Sequence, residues 1–311
     1  MMISLQSYRS GIIFFLAVIC GIIVPQCARA GMFLILPALM IIITISLLRF
    51  PRDFFRHPGS LLYASIQGNI MNYLVLGNFI ILTGAFLVNK QELWVGMVLV
   101  AAMPLSLEAI TLGNSLHLDK RHIFTALAGT HLGTLCIVPL VGIVFFQYTH
   151  LRYWNIIVLV LCLIVLPLLM SRVAVEKEWD KVIVKYDEMA MDFSYFLVYY
   201  AITANVRPYL ANGSNDVISI ASIALISTFL FDIVIRKIGL YFKAPDDKIN
   251  AFILPGTMKA CGLAGGIALT VFSPEVAIPS LIFAVFTIIY MNWIKFRFRH
   301  LTVKTHINHK I

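Results

Sequence analysis

The stretch Ile253 to Phe272, ILPGTMKACGLAGGIALTVF, constrains this chain most. It is apolar enough to lie in a bilayer, yet it contains Pro255, Gly256 and Lys259. Proline removes a backbone donor and clashes with the preceding turn, so a helix tends to break there. A lysine at mid-membrane depth costs at least ~2.5 kcal/mol on insertion scales, so it rarely faces lipid. A break beside a buried charge predicts a discontinuous helix lining a polar site. Gly96 to Leu116 is built alike, with Pro104 as its break and Glu108 as its charge, each pair four residues apart. Interrupted spans in the two halves of a chain are the sequence pattern of a transporter's binding site.

The rest of the chain fits a bilayer. Of its 311 residues, 60% are hydrophobic and 13% charged, about half the charged share of a soluble domain. Long apolar runs recur from end to end, which predicts an all-α integral membrane protein whose first partner is the lipid bilayer. The net charge of +9 is carried between the runs and implies basic cytoplasmic loops rather than nucleic acid. The five cysteines have no CxxC spacing and read as packing residues, not metal ligands or disulfides. Arg9, the run Gly11 to Val24 and Ala28-Arg29-Ala30 are shaped like a secretory signal. An uncleaved first span is the reading that the repeat below requires.

Ten spans are expected: Ser10–Gln26, Met32–Leu48, Leu61–Leu87, Leu93–Leu116, Ile123–Gln147, Trp154–Met170, Phe193–Leu210, Val217–Ile235, Ile249–Phe272 and Ala277–Ile294. Val175 to Met189, rich in acidic residues, reads as an amphipathic surface helix. With both termini cytoplasmic, the inside segments hold 19 Lys and Arg and the outside segments 4, with Lys259 within a span. Residues 1–152 and 153–311 then form two five-span halves of opposite orientation, with the broken spans fourth in each.

Parts of the chain resemble the bile acid:sodium symporter family. Gly262-Leu263-Ala264 and the run Thr270 to Phe283, TVFSPEVAIPSLIF, are similar to that family's ninth and tenth spans. Gly96 to Pro104 and Pro139 are similar to its fourth and fifth, and Arg9 to Pro25 less specifically to its first. The specific match covers about a quarter of the chain. The resemblance implies a panel of helices 1, 2, 6 and 7, and a core of helices 3–5 and 8–10 in which broken helices 4 and 9 cross. It implies a carrier of a small organic anion working by alternating access in a bacterial inner membrane. The sequence departs from the family where it matters. Pro255 and Lys259 stand where the family places a sodium-binding glutamate and glutamine. Leu105, Ser106, Ala109 and Ile110 replace two glycines and a serine-asparagine pair. Sodium coupling therefore does not carry over.

The candidate substrate and ion site is Glu108, Lys259, Pro104, Pro255, Thr257, Thr130, His131, Gln67 and Asn72. Glu108 and Lys259 are expected in contact, or one water apart, near the bilayer midplane. Three roles stay open for them: a structural pair, proton exchange, or contact with an anionic substrate. The half-helix N-termini after Pro104 and Pro255 offer free N–H groups to an anion. Thr130 and His131 lie where the resemblance implies polar residues near the ions, with a satisfied core histidine as the plain alternative for His131. Gln67 and Asn72 are either ligands or helix-packing hydrogen bonds. No cofactor is implied. No GxSxG, Walker or HExxH motif occurs, so no enzyme is expected. The alternatives to a sodium-independent carrier are a sodium-coupled one with a rearranged ion site, and a non-transporting receptor or scaffold.

Overall fold

The computed structural model describes residues 9–48, 58–116, 118–145, 153–183, 185–210 and 215–308. Among these residues the chain is helical throughout, with no strand. Among the described residues seven helices are long and apolar enough to cross a membrane. Helix α1 (Arg9–Ile23) leads through a short 3-10 turn into α2 (Ala28–Leu48). Helices α3 (Pro58–Asn69) and α4 (Asn78–Leu87) form one rod joined by a π-helical stretch, Ile70–Gly77. Helix α5 (Gln91–Ala102) is separated by an extended break from α6 (Glu108–Ser115). Then follow α7 (Lys120–Phe145), α8 (Tyr153–Glu176), the single turn α9 (Asp180–Ile183) and α10 (Asp187–Leu210). Helices α11 (Asn215–Leu225) and α12 (Phe231–Tyr241) are again joined by a π stretch, Ile226–Leu230. A second break separates α13 (Asp246–Thr257) from α14 (Cys261–Val271), and α15 (Ile278–Asn308) closes the chain.

Local chemistry sets several boundaries. Asp119 caps α7 by accepting the Arg121 backbone N–H at 3.0 Å, so the charged turn Asp119–His122 is a helix start. Helix α8 ends in a Schellman turn, with Trp179 N–H donating to Ala174 O at 2.8 Å and Glu178 in the left-handed region at φ 57°. Lys243, at φ 53°, ends α12 in the same way. The Glu178 turn corrects one expectation. Residues 175–189 are not a separate amphipathic helix; they are the end of α8, a turn, α9 and the start of α10. Likewise the basic tail beyond Ile294 continues α15 as helix. Of the cysteines, Cys261 is buried, Cys20 half-buried, and Cys27, Cys136 and Cys162 exposed, all as free thiols; only Cys261 is a packing residue in the strict sense. The basic loop Arg49–His57 lies outside the described residues.

Helices α1, α2, α8 and α10 pack together: α1 on α10, α10 on α2, and α2 on α8. Arg9 ties the start of α1 to α10 through Glu188 and Asp192. The remaining helices pack round α5, α13 and α14, whose side chains make the centre of the molecule. The stretch Asp246–Val271 is the most buried of the seven candidate spans. Burial explains why a lysine survives there: Lys259 faces protein rather than lipid.

Candidate functional site

The two breaks touch each other. Helix α5 stops at Ala102, Met103 is extended, and the carbonyl of Pro104 accepts the backbone N–H of Ala260 at 2.9 Å. Helix α13 stops at Thr257, Met258 is extended, and α14 begins at Cys261. Pro104 sits in its break, as expected. Pro255 does not: it lies inside the last turn of α13, and the chain leaves the helix only after Thr257. A proline costs the hydrogen bond to the carbonyl four residues back, here that of Ala251, but the ladder resumes beyond it, with Met258 N–H donating to Leu254 O at 3.2 Å. The equal four-residue spacings therefore mark unequal positions. Glu108 opens helix α6, while Lys259 stands in the break itself.

Lys259 is 3% exposed. Its Nζ donates to Asn72 O at 2.7 Å, Ala101 O at 2.7 Å and Met103 O at 3.1 Å. An ammonium has three N–H donors and no acceptor, so these carbonyls use it fully. They come from three sources: the π stretch, the end of α5 and the first break. The ring of Tyr73 lies 4.8 Å from Nζ and adds a cation–π contact.

The expected contact between Lys259 and Glu108 is not formed. Among the described residues no ion pair joins them. Glu108, 8% exposed, instead accepts the Ser106 hydroxyl at 2.9 Å and interacts electrostatically with Lys295 of α15. It also lies in the first turn of α6, where a carboxylate faces the positive end of the helix dipole. Each charge thus has its own polar surroundings, and neither depends on the other for compensation.

The remaining candidates divide. Asn72 belongs to the lysine site twice, through its carbonyl and through Nδ2, which donates to Met103 O at 3.1 Å. Thr130 supports the first break, its Oγ1 accepting the Leu105 N–H at 3.3 Å. Tyr73 donates its hydroxyl to Thr130 O at 2.7 Å and lies 2.6 Å from Thr134 Oγ1. His131 has a ring nitrogen 2.9 Å from Leu127 O, a satisfied buried histidine at the wall of a cavity. Gln67 stands apart from the breaks, beside Tyr63, His122 and Asp247.

That first cavity, about 40 Å3, lies where α2 and α10 meet the breaks. Ser106, Cys261 and Gly262 bring the N-termini of α6 and α14 to its wall; Tyr195, Tyr199 and His131 add polar tips to an otherwise apolar lining. Its volume accommodates a few waters. Sequence reasoning missed Tyr73, Ser106, Tyr199 and Lys295. Tyr73, next to Asn72 in an apolar run, carries the one polar signal that could have marked it. No protein-family model matches the chain, and no curated protein matches it.

Proposed function

We propose that the protein is a secondary transporter of a small organic anion, working by alternating access and without sodium. In this reading ten helices span the membrane in two inverted halves, residues 1–152 and 153–311, with both termini cytoplasmic in a bacterial inner membrane. Helices α1, α2, α8 and α10 act as a panel, and the rest as a core that moves against it. The packing of those four helices supports this division. So does the recurrence of irregular backbone. The third span of each half carries a π stretch and the fourth carries a break, and π-bulges are frequent at functional sites.

The observation that carries the proposal is the Lys259 ammonium in its cage of three carbonyls at the point where both breaks meet. It is a fixed monovalent cation, tethered to the chain. Two like unit charges about 4 Å apart repel by about 4 kcal/mol at an effective dielectric of 20. That is roughly a thousandfold in ion affinity, so Lys259 replaces sodium rather than binding beside it. The helix N-termini at the first cavity favour an anion. The cavity holds no more than water in this conformation, so a substrate enters only when panel and core separate. Proton coupling is the natural extension, through Glu108 and His131; the donors of Lys259 are already committed. No catalytic step is involved.

The test is uptake of candidate organic anions into proteoliposomes with a sodium gradient, a proton gradient, or neither. Replacing sodium by potassium at fixed pH should leave uptake unchanged. A saturable sodium dependence would overturn the replacement argument, and absence of any concentration-driven uptake across a broad anion panel would overturn the carrier reading.

A further inference from the structure

A second cavity, about 200 Å3, lies between α3, the turn entering α7 and the first turns of α13. It shares no residue with the cavity at the breaks. Gln67 lines it, only 6% exposed, and neither its amide nitrogen nor its amide oxygen has a hydrogen-bond partner. The Nε2 of His122, in the same lining, is also buried without one. Unpaired buried polar groups destabilise a fold, and native proteins rarely leave both ends of one amide unpaired. The site therefore calls for an occupant with hydrogen-bonding groups of its own.

The surrounding chemistry selects its class. Asp119 and Asp247 contribute two carboxylates against the single ammonium of Lys248, and His122 interacts electrostatically with both carboxylates. Tyr63 and Phe252 add aromatic rings. Excess negative charge with ring faces is how proteins recognise organic cations. An anion would meet two carboxylates for one lysine. A metal ion fits poorly, because no group of three His, Cys, Asp or Glu among the described residues could hold one.

We propose that this cavity binds a small organic ammonium group, with Asp119 and Asp247 supplying the charge, Tyr63 and Phe252 the ring contacts, and Gln67 the hydrogen bonds. The site does not depend on the transport reading. Either a free amine or the ethanolamine headgroup of a lipid supplies this chemistry.

The experiment is calorimetric titration of the full-length protein, in nanodiscs of phosphatidylglycerol, with ethanolamine and with tetramethylammonium. Saturable binding is expected. Asp247→Asn should weaken binding of both ligands at least tenfold and Gln67→Leu that of ethanolamine alone, since tetramethylammonium has no N–H to donate, whereas Lys248→Gln, which removes the competing cation, should tighten both. Adding phosphatidylethanolamine to the discs separates the sources: lowered apparent affinity identifies the lipid headgroup, and unchanged affinity a free amine. The proposal fails if binding is not saturable. It also fails if Asp247→Asn and Lys248→Gln both bind like the wild type, since the cavity then holds water only.

Discussion

Three backbone carbonyls hold Lys259, and they define what its removal does. Lys259→Ala takes this donor from the carbonyls of Asn72 and Ala101 in a buried setting, while Met103 O keeps Asn72 Nδ2. Buried acceptors left without a donor cost about 1–3 kcal/mol each, which should appear as a lower midpoint of unfolding in detergent. The vacated cage offers oxygen atoms, the ligands that hard cations prefer. The variant should therefore melt higher in sodium chloride than in N-methylglucamine chloride of equal ionic strength, and the wild type should not distinguish them. Equal midpoints for the variant in both salts would mean that the carbonyls are not a cation cage. Glu108 was the expected partner because opposite charges in two similar stretches suggest a pair. The lysine instead found three acceptors close by, and the glutamate found Ser106 and the start of its own helix.

At the scale of elements, the broken helices hold their places by close backbone approach. Helix α5 lies against the 3-10 turn Pro274–Ala277, and a Cβ at Gly96 would run into the Val276 carbonyl and the Pro279 ring. Gly96→Val should cost about 1–3 kcal/mol of stability by overpacking. Gly142, in α7, faces open space. Gly142→Ala should leave stability unchanged or raise it by up to about 1 kcal/mol, the helix propensity difference. Unfolding both variants in one detergent checks the pair, and equal destabilisation would contradict the packing of α5. Rigidity at this contact matters because the first break, which begins just after α5, supplies one carbonyl to Lys259 and Pro104 O to the second break.

The whole molecule has two chemically distinct ends. At one, the carboxylate of Asp216 accepts the backbone N–H groups of Asn89 and Lys90, at 3.1 and 3.0 Å, and so pins the α4–α5 connection to the start of α11. At the other lie Asp119, His122, Asp247 and Lys248. In the proposed orientation, which rests on the basic bias of the loops, the second end is cytoplasmic. With the native cysteines replaced, single cysteines at Lys120 and Lys248 should be labelled from the cytoplasmic side and one at Lys90 from the outside. Labelling of positions 90 and 120 from the same side would remove the inverted-halves arrangement.

The sequence by itself determined the class of structure, because hydropathy and charge placement act locally. Apolar runs with charges between them can satisfy their backbone only as helices in a bilayer. Pro104, a residue without a backbone donor, marked the first break directly. Lys259 was legible as a buried charge, and Asn72 as its neighbour in composition, though not in role. Tertiary structure decided the rest. The second break falls after Thr257 rather than at Pro255, because the proline costs only the bond to Ala251 O and the ladder resumes beyond it, Met258 N–H donating to Leu254 O. The π stretches at Ile70–Gly77 and Ile226–Leu230 have no local signature. The acceptors of Lys259 are main-chain oxygens drawn from three separate segments. Every residue carries a carbonyl, so nothing in the order of side chains tells which ones a distant fold will bring together.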